Sequence, residues 1–252
     1  MCGLAGFSLS TRDSRWVDTS QLSEALLGGI ELRGPHATGV AWVDGGVVRH
    51  RKAPIRASSF IEQYGSIPKQ ATNALLHARY ATQGDPADSR NNHPIRVQPV
   101  TGVHNGVIFN ATELYDRTPH TERLHGVDSE AIFALLAHTR EHPTEALEQL
   151  EGSATVAWYD DRDPSIVQVA RGATSPLITA RTDGGSFLFA STESALTEAA
   201  DHTSLTLRDI CTQNEGVHLS VRAGQVVHQC TFEADRPRGA LDELERLALN
   251  FS

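Results

Sequence analysis

A chain of 252 residues, 39% hydrophobic and 21% charged, has the composition of a globular protein with room for one large domain or two small ones. Its formal net charge of −9 argues against general nucleic-acid binding, which needs a basic face, and no apolar run approaches the ~18 residues that cross a membrane. The three cysteines, Cys2, Cys211 and Cys230, form neither a disulfide framework nor a metal-ligand spacing, which points to a reducing cytoplasm and to no metal site; Cys211 and Cys230 read as buried small hydrophobes.

In chain order, residues 3–9 form a short apolar strand with Cys2 at its start. No secretory leader is expected, because Arg12, Asp13, Arg15 and Asp18 soon interrupt the apolar stretch. Asp18 begins a helix with Gln21 as its capping-box partner, and Leu22, Leu26 and Ile30 recur at helical spacing up to the Arg33-Gly34-Pro35 breaker. Residues 39–43 and 46–50 are strand-like around Asp44-Gly45, a hairpin signal. A strand over 74–80 precedes a polar loop over 82–94. Residues 100–104 and 107–109 flank Asn105-Gly106, which reads locally as a second hairpin turn.

Helices follow over 129–138 and 143–150, the second with Pro143 in its first turn. Strands are expected over 154–159, 166–170, 177–180 and 187–190, and a helix over 193–199. A late hairpin pairs 217–221 with 225–232 around Arg222-Ala223-Gly224. Leu241, Leu244, Leu247 and Ala248 define an amphipathic C-terminal helix over 240–250. Strands in hairpins and clusters, rather than in βαβ alternation, favour antiparallel sheets covered by helices.

Chemistry concentrates in four places. Removal of Met1 would leave Cys2 with both a thiol and a free α-amine, a nucleophile carrying its own base. In His77-Ala78-Arg79-Tyr80-Ala81-Thr82-Gln83-Gly84, an arginine suited to gripping a carboxylate ends a strand. The Asn105 amide and the Gly106 N–H are candidate oxyanion donors, against the plain alternative of a turn. Asp128, in Gly126-Val127-Asp128-Ser129-Glu130, is placed to cap a helix and to hold a substrate ammonium, while Glu130 favours the helix dipole.

Behind an N-terminal cysteine and in this order, these segments resemble the class II glutamine amidotransferase domain, an N-terminal-nucleophile hydrolase. Arg33-Gly34-Pro35-His36-Ala37-Thr38-Gly39, Asn91-Asn92-His93-Pro94, Leu150-Glu151-Gly152, Ala170-Arg171-Gly172 and Phe189-Ala190-Ser191-Thr192-Glu193 extend the resemblance, which covers residues 2–232 of a single domain and leaves 233–252 as an extension. It implies an α+β fold, a four-layer αββα sandwich of two stacked antiparallel sheets. Cys2 falls on the family nucleophile, Asn105 and Gly106 on the oxyanion hole, and Arg79 and Asp128 on the groups that hold the substrate α-carboxylate and α-amine. Thr82 and Gln83 line the same pocket by analogy, and no metal or organic cofactor is implied.

Gln83 stands where one family branch shows histidine, and Pro35-His36-Ala37 replaces that branch's Tyr-Asp-Ser. The resemblance implies glutamine hydrolysis through a Cys2 thioester, with ammonia passed to a separate synthase subunit because no acceptor domain follows. Two alternatives stay open: a γ-glutamyl amidase acting on a larger γ-glutamyl compound, and a catalytically silent binding protein of the same fold.

Overall fold

The computed structural model describes residues 1–118, 123–139 and 142–234. Its first strand, β1 (Gly3–Ser8), is buried along its whole length. Gly6 lets neighbours approach: a Cβ there would stand 2.4 Å from the Ala74 carbonyl oxygen and from the Phe189 ring. β1 therefore runs through the middle of a sheet rather than along its edge.

That sheet also contains β2 (Ala37–Asp44), β3 (Val47–Ala53), β4 (Asn73–Arg79), β9 (Ile178–Thr182), β10 (Phe187–Ala190) and β11 (Leu207–Thr212), in the order β11-β9-β10-β1-β4-β2-β3. The second sheet has the order β13-β12-β8-β7-β6-β5. Its strands are β5 (Ile95–Val97), β6 (Val100–Ile108), β7 (Gly152–Asp160), β8 (Ile166–Arg171), β12 (Val217–Arg222) and β13 (Gln225–Thr231). Every pairing is antiparallel.

Three apolar clusters define the layers. Leu4, Leu75 and Phe189 from the first sheet meet Val103, Tyr159, Val169 and Leu219 from the second. The outer face of the first sheet packs on α1 (Thr19–Glu31), α2 (Ala57–Tyr64) and α6 (Glu193–Thr203). The outer face of the second packs on α3 (Ala111–Asp116), α4 (Ser129–His138) and α5 (Pro143–Leu147). The result is the expected αββα sandwich, held by burial worth about 1.5–3 kcal/mol for each fully enclosed large side chain.

Several local expectations shift. Asp18 caps α1 by accepting from the backbone N–H groups of Ser20 and Gln21, at 3.1 and 3.3 Å. The β2–β3 turn is Gly45-Gly46, one residue later than the Asp44-Gly45 signal, because Asp44 pairs with Val47 and both glycines have positive φ, 56° and 79°. Asn105-Gly106 is no turn: β6 runs unbroken from Val100 to Ile108, and the pair lies opposite Thr155 and Ala154 of β7. Cys211 is exposed and Cys230 half-buried, since both sit on the outermost strands, β11 and β13.

α5 stops at Leu147, while α6 runs on to Thr203. α2, α3, β5 and β11 have no counterpart in the sequence reading; β11 is exposed at nearly every position and shows no apolar alternation. The expected helix over 240–250 lies outside the described residues. No helix among the described residues is long and apolar enough to cross a membrane.

Candidate active site

Cys2 precedes β1 at one end of the sandwich. Gly3 lets it approach α1, since a Cβ there would lie 2.7 Å from both the Cβ and the carbonyl oxygen of Ile30. The Cys2 thiol lies 3.3 Å from the Tyr80 N–H and 3.4 Å from the Tyr80 carbonyl, able to accept from one and donate to the other. Its backbone carbonyl accepts from Arg33 Nε at 3.0 Å. Burial pushes the thiol above its ordinary pKa, against the pull of the Tyr80 N–H and of the nearby cations. The same burial lowers the α-amine of Met1.

Arg79 ends β4 one residue before that contact, and its side chain is buried. Nη1 donates to Asn92 Oδ1 at 2.6 Å, and Nη2 donates to the carbonyls of Gln83 and Gly84, the latter at 2.8 Å. Thr82 and Gln83 sit exposed in the loop that follows. Asp128 caps α4, accepting from Ser129 N at 3.0 Å through Oδ1 and from Ile108 N at 2.6 Å through Oδ2. The charges of Arg79 and Asp128 act on the Cys2 thiol in opposite senses, so the three side chains share one electrostatic neighbourhood.

Asn105 is fully buried on β6. Its Nδ2 donates to Ser191 Oγ at 3.2 Å, and its Oδ1 has no hydrogen-bond partner. Ser191 Oγ in turn accepts from the Leu4 N–H at 3.0 Å, tying β6 to β1 two residues from the thiol. Gly106 has φ 150°, and a Cβ would stand 1.8 Å from the Ser153 carbonyl oxygen, so only glycine lets β7 pack here. His104 is fixed alongside, with Ser129 Oγ 2.9 Å from Nδ1 and the Ser153 carbonyl 3.2 Å from Nε2.

The structure thus brings Cys2, Arg79, Asn105, Gly106 and Asp128 to the region where β1, β4 and β6 meet α4, with Thr82 and Gln83 on the exposed side. Glu130 does more than favour the α4 dipole. It accepts the Leu124 and His125 N–H groups at 2.7 and 3.0 Å and the Tyr115 hydroxyl at 2.6 Å. The sequence reading missed the roles of Arg33, Ser191 and Asn92, although each lies in a quoted motif; only long-range pairing shows their partners. Among the described residues, no His, Cys, Asp and Glu cluster has the arrangement of a metal site.

A family profile described as "Glutamine amidotransferase domain" matches residues 77–198. The glutamine–fructose-6-phosphate aminotransferase of Rhizobium meliloti is 32% identical over 200 residues, covering 75% of this chain and 31% of the relative. Its Pyrobaculum aerophilum counterpart is 30% identical over 242 residues, covering 90% of this chain and 37% of the relative. The chain therefore spans about a third of the length of the curated relatives it matches. Among solved structures, the Bacillus subtilis glutamine phosphoribosylpyrophosphate amidotransferase superposes with a TM-score of 0.75 at 19% identity, over 94% of this chain and 50% of that one, which shows the shared fold.

Proposed function

The chain belongs to the class II glutamine amidotransferase domains, and from that premise we propose that it hydrolyses the side-chain amide of glutamine through Cys2 and delivers ammonia to a separate acceptor enzyme. The observation that carries this reading is the Cys2 thiol, which stands against Tyr80 within electrostatic reach of Arg79 and Asp128.

Once Met1 is removed, the Cys2 α-amine takes the thiol proton as sulfur attacks the amide carbon. The Asn105 side-chain amide and the Gly106 N–H stabilise the oxyanion, a contribution of about 10²–10³ in rate for a single donor. The amine then passes that proton to the amide nitrogen, which leaves as ammonia, and water hydrolyses the γ-glutamyl thioester to glutamate and free thiol. Arg79 holds the substrate α-carboxylate and Asp128 its α-ammonium, with Thr82 and Gln83 lining the entrance. A reducing compartment such as the cytoplasm suits a nucleophile that must stay a free thiol.

The test is intact mass before and after treatment with 6-diazo-5-oxo-norleucine, alongside a glutaminase assay. The expected result is loss of Met1, one adduct on Cys2, and no adduct or turnover in Cys2→Ala. Retained Met1 with no adduct would overturn the reading in favour of a silent binding protein. Amine release from larger γ-glutamyl amides in preference to glutamine would reassign the chain as a γ-glutamyl amidase.

A further inference from the structure

The Arg79 side chain is buried, and a guanidinium presents five N–H donors in one plane. A buried arginine keeps one orientation only when fixed acceptors meet those donors. Two of its acceptors, the Gln83 and Gly84 carbonyls, belong to the exposed loop after β4. The third, Asn92 Oδ1, belongs to a side chain with no exposed surface, 2.6 Å from Nη1.

Asn92 is itself held at every polar atom. Its Nδ2 donates to the Pro86 carbonyl at 2.8 Å, which turns Oδ1 toward the arginine. Its backbone N–H reaches the Ser89 carbonyl at 3.2 Å, and its own carbonyl accepts from Lys52 Nζ at 2.7 Å. The same ammonium donates to the Pro94 carbonyl at 2.9 Å, pinning both sides of His93 to β3.

We propose that Asn92 is a positioning residue: its carboxamide presets the Arg79 guanidinium for the substrate α-carboxylate while leaving the positive charge uncompensated. The choice of a neutral acceptor carries the argument. A carboxylate in the same place would form a charge-assisted pair with Arg79 and compete with the substrate for it. It would also turn an oxygen toward the Pro86 carbonyl, where Asn92 now donates. A carboxamide fixes direction without consuming charge, the division of labour expected of a preorganised carboxylate grip. The inference rests on the proposed role of Arg79.

The experiment compares glutamine with 4-aminobutanamide, which keeps the amine and the amide but lacks the α-carboxylate. Asn92→Asp, Asn92→Ala and Arg79→Ala are assayed beside the wild type, with Tm recorded for each. In Asn92→Asp the KM for glutamine is expected to rise about 10–100-fold with kcat within about threefold, the size of a lost hydrogen bond to a charged group. For 4-aminobutanamide, kcat/KM should stay within about twofold of wild type, because the affected group has no partner on that substrate. Equal losses on both substrates would make Asn92 a merely structural residue, and an unchanged glutamine KM in both Asn92 variants would also overturn the proposal. If Arg79→Ala leaves the glutamine KM unchanged, the reading of Arg79 falls instead, whatever the Asn92 variants do.

Discussion

The Asp128 carboxylate holds two backbone N–H groups, Ser129 at the start of α4 and Ile108 at the end of β6. Removing it therefore carries a structural penalty beside any loss of substrate binding. Asp128→Ala is expected to cost about 2–4 kcal/mol, from a lost helix cap and an orphaned buried N–H. Asp128→Asn keeps an oxygen for one of these bonds and should recover part of the melting temperature, yet it removes the charge proposed to pair with the substrate ammonium. Thermal melts run beside glutamine kinetics separate the two roles: partial recovery of Tm without recovery of KM is the expected pattern. Recovery of both would mean that Asp128 serves the fold alone.

At the scale of elements, β6 shows why a local signal misleads. Asn-Gly favours a tight turn when nothing else constrains it. Here nine consecutive residues of β6 pair with β7, and that long-range ladder overrides the dipeptide. The glycine is kept for a different reason, the close approach of the Ser153 carbonyl. Gly106→Ala is expected to cost about 3 kcal/mol or more, a Tm decrease on the order of 6–12 °C for a chain of this size. A melt within about 2 °C of wild type would contradict the packing described here.

Helices with strong caps were legible, as with α4, whose bounds match the expectation at both ends. Edge strand β11 was not, because exposed edges carry no apolar alternation. The site motifs were legible as residue types. Their supports were not: Asn92 and Ser191 gain meaning only from partners such as Arg79 and Asn105, and Ser191 lies 86 positions from the latter.

Across the whole molecule, burial holds several imidazoles neutral. It lowers His77 to about 3 and His218 to about 4, puts His93 well below its ordinary range, and lowers His104 as well. Unfolding exposes these rings to water, where they titrate near ~6.5. Above that pH they are neutral in both states and cost nothing. Below it the unfolded chain binds protons that the folded chain refuses, so stability falls as pH drops from 6.5 toward 3. His218 alone accounts for a loss of about 3 kcal/mol by pH 4. Urea midpoints between pH 7 and pH 4 should decline steeply, and His218→Gln should flatten the decline by about one proton. A midpoint independent of pH over that range would contradict the buried neutral state.

The placement of β1 between β10 and β4 bears on how the proposed nucleophile, Cys2, acquires its geometry. The residues next to a chain end ordinarily sample many backbone states, and fixing each costs about 1–2 kcal/mol. Here the second residue leads directly into a strand paired on both sides, with its carbonyl tied to Arg33 and its thiol against Tyr80. The entropy of that otherwise loose segment is surrendered once, when the sandwich assembles. On the proposed mechanism, each catalytic cycle then begins with a thiol whose freedom has already been removed.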